Sequence, residues 1–113
     1  KILLHSHTGK LPEFKGSTTI YYSLIQNKKI YCSTFIMNNE IDKGRILLIK
    51  KYKLIKQIKN IDKYDNQIRA KNMLLTLNNF NQLIKSKKKN SSTDKNSNYF
   101  VIHPILRYIA LKN

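Results

Sequence analysis

The segment that most constrains the fold covers residues 45–64, RILLIKKYKLIKQIKNIDKY. Apolar or aromatic residues recur there at every third position, at Ile46, Ile49, Tyr52, Ile55, Ile58, Ile61 and Tyr64. An α-helix turns once per about 3.6 residues, so a three-residue repeat slips around a helix by about 60° at each step. No single helical face therefore stays apolar along the whole segment. The pattern predicts a helix over residues 47–60, with a buried strand over the first half of the segment as the alternative.

The N-terminal third of the chain carries strand and turn signals. Residues 1–7, KILLHSH, suit a short strand, and residues 8–16 contain two glycines and a proline, which indicate a loop. Residues 18–37 are rich in β-branched and aromatic residues on both sides of QNKK, a pattern that predicts a β-hairpin. In the second arm, alternation places four residues on one face: Ile30, Cys32, Thr34 and Ile36.

Residues 66–86 carry the clearest helix signal. Asp65 is a suitable N-cap, and the following apolar residues recur at alternating spacings of three and four, which places them on one helical face. That face contains Ala70, Met73, Leu77, Phe80 and Ile84, and Leu74 widens it.

The C-terminal part begins with a polar stretch. Residues 86–98 have no large apolar side chain and predict a disordered basic loop. Residues 99–103 predict a closing strand, and Pro104 predicts the first turn of a helix over residues 104–111. The chain is therefore expected to form one α+β domain over residues 1–113. It would contain a β-hairpin, two main helices, the disordered basic loop and a short closing strand and helix.

The charge balance is strongly basic. The 113 residues include 22 Lys and Arg against 6 Asp and Glu, which gives a formal net charge of +16. Such an excess repels itself in a compact state and favours an anionic partner, most often nucleic acid. The abundance of Lys, Ile and Asn also fits an AT-rich genome, which accounts for part of the lysine excess. The single cysteine, Cys32, excludes an intramolecular disulfide, and no apolar run is long enough to span a bilayer.

No arrangement typical of catalysis or metal binding stands out. The six acids are dispersed, and the chain has neither a Ser-His-Asp or Cys-His signature nor a glycine-rich phosphate loop. The spacing of His5, His7, Cys32 and His103 matches no usual zinc site, so structural histidines are expected. Residues 7–14, HTGKLPEF, are similar to the linker between classical zinc fingers, but no Cys-x-x-Cys pair flanks them. We therefore predict no enzyme activity, no cofactor, no metal site and no small-molecule substrate.

The lysines form several clusters interleaved with apolar and aromatic residues. Cations near phosphates release counterions, and tyrosine and phenylalanine can stack on unpaired bases. The alternative is a solvated face enlarged by codon bias. The sequence predicts RNA binding through Lys10, Lys15, Lys28, Lys29, Arg45, Lys50, Lys51, Lys53, Lys56, Lys59, Arg69, Lys85, Lys87, Lys88, Lys89 and Arg107.

Folded blocks with a basic extension, few acids and no catalytic signature are typical of ribosomal proteins, which this chain resembles in overall type. The resemblance implies a structural component of a ribosome that binds ribosomal RNA and neighbouring ribosomal proteins. The composition suggests a mitochondrial ribosome, with a plastid or cytoplasmic ribosome as alternatives. Two other functions stay open: a non-catalytic accessory subunit of an organellar respiratory or ATP synthase complex, and a small DNA-binding regulator.

Overall fold

The structure is a computed structural model, and it describes residues 1–54, 59–86 and 98–112. In chain order the elements are β1 (Leu4–His7), α1 (Thr19–Asn27), β2 (Ile30–Ile36), β3 (Ile46–Tyr52), α2 (Ile61–Asn78), α3 (Phe80–Leu83) and α4 (Pro104–Lys112). The strands form one antiparallel sheet in the order β1-β2-β3. An antiparallel sheet combined with separate helices confirms the predicted α+β class.

The central strand, β2, is covered on both faces. On one face Ile30 and Cys32 join side chains of α1, α2 and α4 in the main hydrophobic core. On the other face Phe35 packs with Leu11 and Ile46 in a second, smaller cluster. The predicted alternation of faces in this strand is confirmed at Ile30, Cys32 and Phe35.

The first arm of the predicted hairpin is wrong, because it forms the helix α1. Its buried apolar side chains, Ile20, Tyr21 and Leu24, follow helical spacing. The helix ends where Lys28 adopts a left-handed conformation, with φ of 51°, and donates its N–H to the Leu24 carbonyl. The β-branched and aromatic composition indicated a strand, but packing of these side chains against β2 and α4 overrides local propensity.

The predicted helix over residues 47–60 is also wrong, and the strand alternative is confirmed by β3. The three-residue repeat is not a property of one element. It runs from β3 through the connection that follows and into the start of α2. Residues 55–58, which hold two members of the repeat, lie outside the described residues.

The helix α2 begins earlier than its pattern predicted. Asn60 is the N-cap, and its side-chain Oδ1 accepts a hydrogen bond from the N–H of Lys63 at 3.0 Å. The predicted cap, Asp65, lies inside the helix and forms an ion pair with Arg69, at 3.0 Å between Oδ2 and Nε. The helical turns continue as the short α3 after an interruption at Asn79.

The face that α2 buries is not the apolar face that the sequence indicated. Leu74 and Leu77 are 59% and 54% exposed. The side chains that the helix buries are Ile61, Ile68, Asn72 and Thr76. Hydrophobic periodicity located the helix but assigned its orientation incorrectly.

A chain of hydrogen bonds makes the polar buried face possible. The Asn72 side-chain amide donates to Thr34 Oγ1 at 2.7 Å, and Asn72 Oδ1 accepts from the Tyr52 hydroxyl at 2.9 Å. Thr34 Oγ1 also lies 2.7 Å from Ser6 Oγ. Because each of these side chains has a partner, burial of Asn72 carries little desolvation penalty. These bonds connect α2 to all three strands.

The C-terminal elements agree with the prediction in part. The expected closing strand is reduced to a single bridge between Tyr99 and Gly16, whereas the expected final helix is confirmed as α4. In α4, Ala110 is buried, whereas Leu106 is 42% exposed. Residues 87–97, most of the predicted loop, lie outside the described residues. None of the described helices has both the length and the apolarity needed to cross a membrane.

We expect Asn72→Leu to lower the free energy of unfolding by about 1–3 kcal/mol. The substitution keeps the side-chain size but removes the partner of the Tyr52 hydroxyl and one of the partners of Thr34. Asn78→Leu, on the exposed side of the same helix, is the matched control and should change stability much less. Urea unfolding measures both variants, and equal effects would contradict a structural role for the Asn72 hydrogen bonds.

Candidate active site

Two histidines lie on one face of the edge strand β1. His5 and His7 are two residues apart, so both side chains point to the same side of the sheet. The His5 ring packs edge-on against Phe35, with 5.5 Å between ring centroids. His7 is buried at the end of the strand, where the chain enters the loop over residues 8–18.

The loop between β2 and β3 brings an acid to His7. Asp42 Oδ2 lies 3.6 Å from His7 Nδ1, and the two side chains are only 10% and 5% exposed. The backbone N–H of Gly16 donates to the same carboxylate oxygen at 2.8 Å. Asp42 itself has a positive φ of 52°, a conformation that an aspartate adopts more readily than most residues. The acid is thus positioned by two loops that are distant in sequence.

The other ring nitrogen of His7 is also fixed. Nε2 lies 2.6 Å from the Phe14 carbonyl and 3.2 Å from Thr19 Oγ1. The Thr19 hydroxyl donates to the Thr8 carbonyl, so its oxygen can accept from His7. A carbonyl oxygen can only accept a hydrogen bond, and Nε2 therefore carries a proton. In the neutral ring, the lone pair lies on Nδ1, on the side of Asp42.

Burial lowers the pKa of His7 below its ordinary value of 6.5. The Asp42 carboxylate and the hydrogen bond to Phe14 oppose burial and raise this pKa. Arg69 and His5 act with burial and lower it further. At neutral pH the ring is therefore mainly uncharged and available to accept a proton.

These groups line a cleft of about 560 Å³, which is within the range of small-molecule sites. Arg69 enters the cleft from α2, and its Nε is held by Asp65 Oδ2 at 3.0 Å and by Thr8 Oγ1 at 3.1 Å. Another part of the rim comes from the segment before α4, where Phe100 and Val101 are 83% and 74% exposed. The cleft therefore combines an acid–base pair, a guanidinium and an exposed aromatic ring.

Backbone hydrogen bonds fix the distant rim segment to the loop next to the histidines. Tyr99 donates its N–H to the Lys15 carbonyl at 2.7 Å and accepts from the Ser17 N–H at 2.9 Å. A side chain at Gly16 would lie 2.3 Å from the Tyr99 carbonyl oxygen. Because φ is +103° there, glycine is required on both grounds.

Most of the predicted RNA-binding residues lie elsewhere. Within the described part of the chain, Arg69 is the member of that set that lines the cleft. Lys15 is 2% exposed, and the Arg45 guanidinium donates to the carbonyls of Ile84 and Ser86. Arg107 lies 5.1 Å from the centre of the Tyr21 ring. Four members lie outside the described residues: Lys56, Lys87, Lys88 and Lys89. No observation tests whether any of these cations contacts RNA, so the individual assignments stay predictions.

The sequence did contain signals for this cleft. A His-x-His pair, His5 and His7, stands at the end of a strand. The glycine-containing stretch HTGKLPEFKG begins at His7 and ends at Gly16. We interpreted His5 and His7 as structural because the histidine spacing matches no usual zinc site. Asp42 lies 35 residues after His7, and only folding brings the two together. The similarity to a zinc-finger linker is not supported by any finger in the described structure.

No protein-family model matches the sequence, and no curated protein matches it. Solved structures do. A sugar N-formyltransferase from a Shewanella species superposes with a TM-score of 0.62 at 22% identity, over 97% of this chain and 50% of that one. The formyltransferase PseJ from Anoxybacillus kamchatkensis gives 0.61 at 15% identity, over 94% and 56%. The chain has the fold of these formyltransferases. It spans about half of their length.

A third structure matches a similar share of this chain, but that protein is larger. HypX from Aquifex aeolicus superposes with a TM-score of 0.68 at 14% identity, over 98% of this chain and 22% of that one. The PseJ structure holds UDP-4,6-dideoxy-4-formamido-L-AltNAc and tetrahydrofolate. The shared fold is therefore one that is found in enzymes with small-molecule ligands.

These neighbours overturn several predictions from the sequence. The interpretations of the chain as a non-enzyme and as a structural, RNA-binding ribosomal protein are wrong, because the matching structures are formyltransferases. The expected partners, ribosomal RNA and ribosomal proteins, and the expected absence of a small-molecule substrate are wrong for the same reason. The two alternatives, an accessory subunit and a DNA-binding regulator, are wrong for the same reason. The mitochondrial location and the AT-rich source stay predictions.

We expect the His7 ring to titrate with a midpoint below 6.5 in the folded protein, as followed by NMR of its ring proton. Asp42→Asn should lower the midpoint further, and Arg69→Gln should raise it. Below pH 6.5 the unfolded chain binds more protons at His7 than the folded chain, so the free energy of unfolding should fall on acidification through this window. A midpoint above 6.5 in the unsubstituted protein would contradict burial as the dominant influence.

Proposed function

We propose that this chain carries the acid–base centre of a formyltransferase and that it acts in formyl transfer to the amine of a nucleotide-linked amino sugar. One observation carries the proposal: the buried His7 and the partly buried Asp42 form a pair that opens onto a cleft of small-molecule size within this fold. The two formyltransferases supply the reaction class, and the PseJ complex supplies the classes of acceptor and formyl carrier.

The chemistry needs one group that both takes and returns a proton. An amine nitrogen attacks the formyl carbon, and a new C–N bond forms while the C–N bond to the donor breaks. The attacking nitrogen must lose a proton, and the leaving nitrogen must gain one. The His7–Asp42 pair can accept the first proton and deliver the second, because the neutral imidazole and the carboxylate face each other.

His5 is positioned for a different task. Its partly exposed ring lies in the same cleft, close to the His7–Asp42 pair. In formyl transfer, negative charge develops on the formyl oxygen, and a hydrogen-bond donor aimed at that oxygen lowers the barrier. We assign this stabilising role to a ring N–H of His5.

The remaining cleft residues fit an anionic, partly aromatic acceptor. The Arg69 guanidinium matches the phosphate oxygens of a sugar nucleotide, and the exposed Phe100 ring offers a surface on which a base can stack. The net charge of +16 favours approach of such an anion. The basic composition, which suggested RNA, is equally compatible with a nucleotide substrate.

The decisive experiment incubates the protein with formyl-tetrahydrofolate and a panel of nucleotide-linked amino sugars, followed by mass spectrometry of the products. We expect Asp42→Asn to lower kcat/KM by about 10²–10⁴-fold, because general acid–base catalysis is lost. Glu40→Gln is the matched control, since this acid lies in the same loop and its carboxylate pairs with Lys43 on the surface. The proposal fails if no acceptor in the panel is formylated or if Asp42→Asn is as active as the control.

A further inference from the structure

We propose that His5, His7 and Asp42 form a binding site for a divalent transition-metal ion of the zinc class. Each residue offers one ligand atom, and these atoms all lie within 4.8 Å of one another. Two imidazoles and one carboxylate are the donors that zinc prefers among nitrogen and oxygen ligands. The inference goes beyond formyl transfer and does not rest on it.

The spacing of His7 and Asp42 fits a shared ion. Two ligands at about 2.1 Å from one zinc ion, at a tetrahedral angle, lie about 3.4 Å apart. His7 Nδ1 and Asp42 Oδ2 are 3.6 Å apart, which is close to that separation. The ligand atom of His5 lies within 4.8 Å of both, and the His5 side chain is partly exposed.

The hydrogen bonds around the site orient the ligands as metal-binding residues require. His7 donates its Nε2–H to the Phe14 carbonyl, which leaves the Nδ1 lone pair facing Asp42. Metal-bound histidines usually donate their second ring N–H to a carbonyl or carboxylate in this way. The Gly16 N–H likewise orients the carboxylate, because it donates a hydrogen bond to Asp42 Oδ2 at 2.8 Å.

The Nδ1 lone pair of His7 and the Asp42 carboxylate oxygen face each other, so both can bind one cation. A proton is one such cation, and His7 accepts it in the formyl-transfer proposal. A divalent ion is the other, and the presence of a third donor, His5, favours it. Arg69 is the opposing charge in the cleft, but its Nε is engaged by Asp65 and Thr8.

Three protein ligands beside a cleft leave further coordination positions open to water or substrate, as in zinc sites that are not purely structural. The same ion would block proton transfer by His7, because it occupies Nδ1. Zinc is therefore expected to inhibit formyl transfer, and metal binding and catalysis would be alternative states of one cluster.

Calorimetric titration of the protein with Zn²⁺ tests the inference. We expect one ion per chain and at least a tenfold loss of affinity in His5→Gln, which should leave the fold intact because this side chain is partly exposed. Asp42→Asn should weaken binding in the same way. His103→Gln, a histidine outside the cleft, is the matched control and should bind as the unsubstituted protein does.

Co²⁺ provides a second measurement that does not depend on activity. Visible absorption bands of the bound ion should appear with the unsubstituted protein and be lost in His5→Gln and Asp42→Asn. Saturable binding that survives both substitutions would belong to another site and would overturn the inference, as would the absence of saturable binding. A metal site without formyl transfer would overturn the proposed function alone, and formyl transfer without a metal site would overturn this inference alone.

Discussion

The structure depends on the central strand, because among the described elements β2 alone has both edges paired and both faces covered. Its edges bond to β1 and β3, one face meets the helices and the other meets the loop that follows β1. Ile30, Cys32, Ser33 and Thr34 have no exposed surface. The Ser33 hydroxyl even serves the loop, since it donates to the Gly9 carbonyl and accepts from the Leu11 N–H. The course of that loop decides where His7, Phe14 and Gly16 lie.

Hydrophobic patterning predicted the parts of the fold in which composition and burial agree. The strand at residues 4–7, the alternation in β2 and the helix after Pro104 follow from local sequence, and the α+β class follows from them. The patterning failed in α2, because the buried face contains Asn72 and Thr76 while leucines face outwards. A hydrogen-bond network that links four separate elements has no periodic signature, so local sequence alone cannot reveal it. The prediction for the α1 segment failed for a related reason, since packing determined the conformation of that segment.

Local sequence could not predict the candidate active site either, but for a different reason. His7 and Asp42 are ordinary residues of a short strand and of a polar loop until antiparallel pairing brings the loops together. The high net charge also favoured the wrong class of partner, a nucleic acid. Lysines are numerous enough to suggest a polyanion, yet the cleft holds one of the three arginines and two of the three histidines. Chemical identity at a few enclosed positions carried more information about function than the total charge did.

Residues 15–17 are the point at which three distant parts of the chain meet. Lys15 and Ser17 bond to the backbone of Tyr99, while Gly16 between them bonds to Asp42, 26 residues away. The bonds to Tyr99 join residues much further apart in sequence than the strand pairs of the sheet, and closing so long a loop costs chain entropy before the contact compensates for it. A partly folded molecule with an intact sheet would therefore still lack the anchored rim of the cleft. Whatever chemistry the cleft performs is a readout of complete folding, and it should disappear at milder denaturing conditions than the secondary structure does.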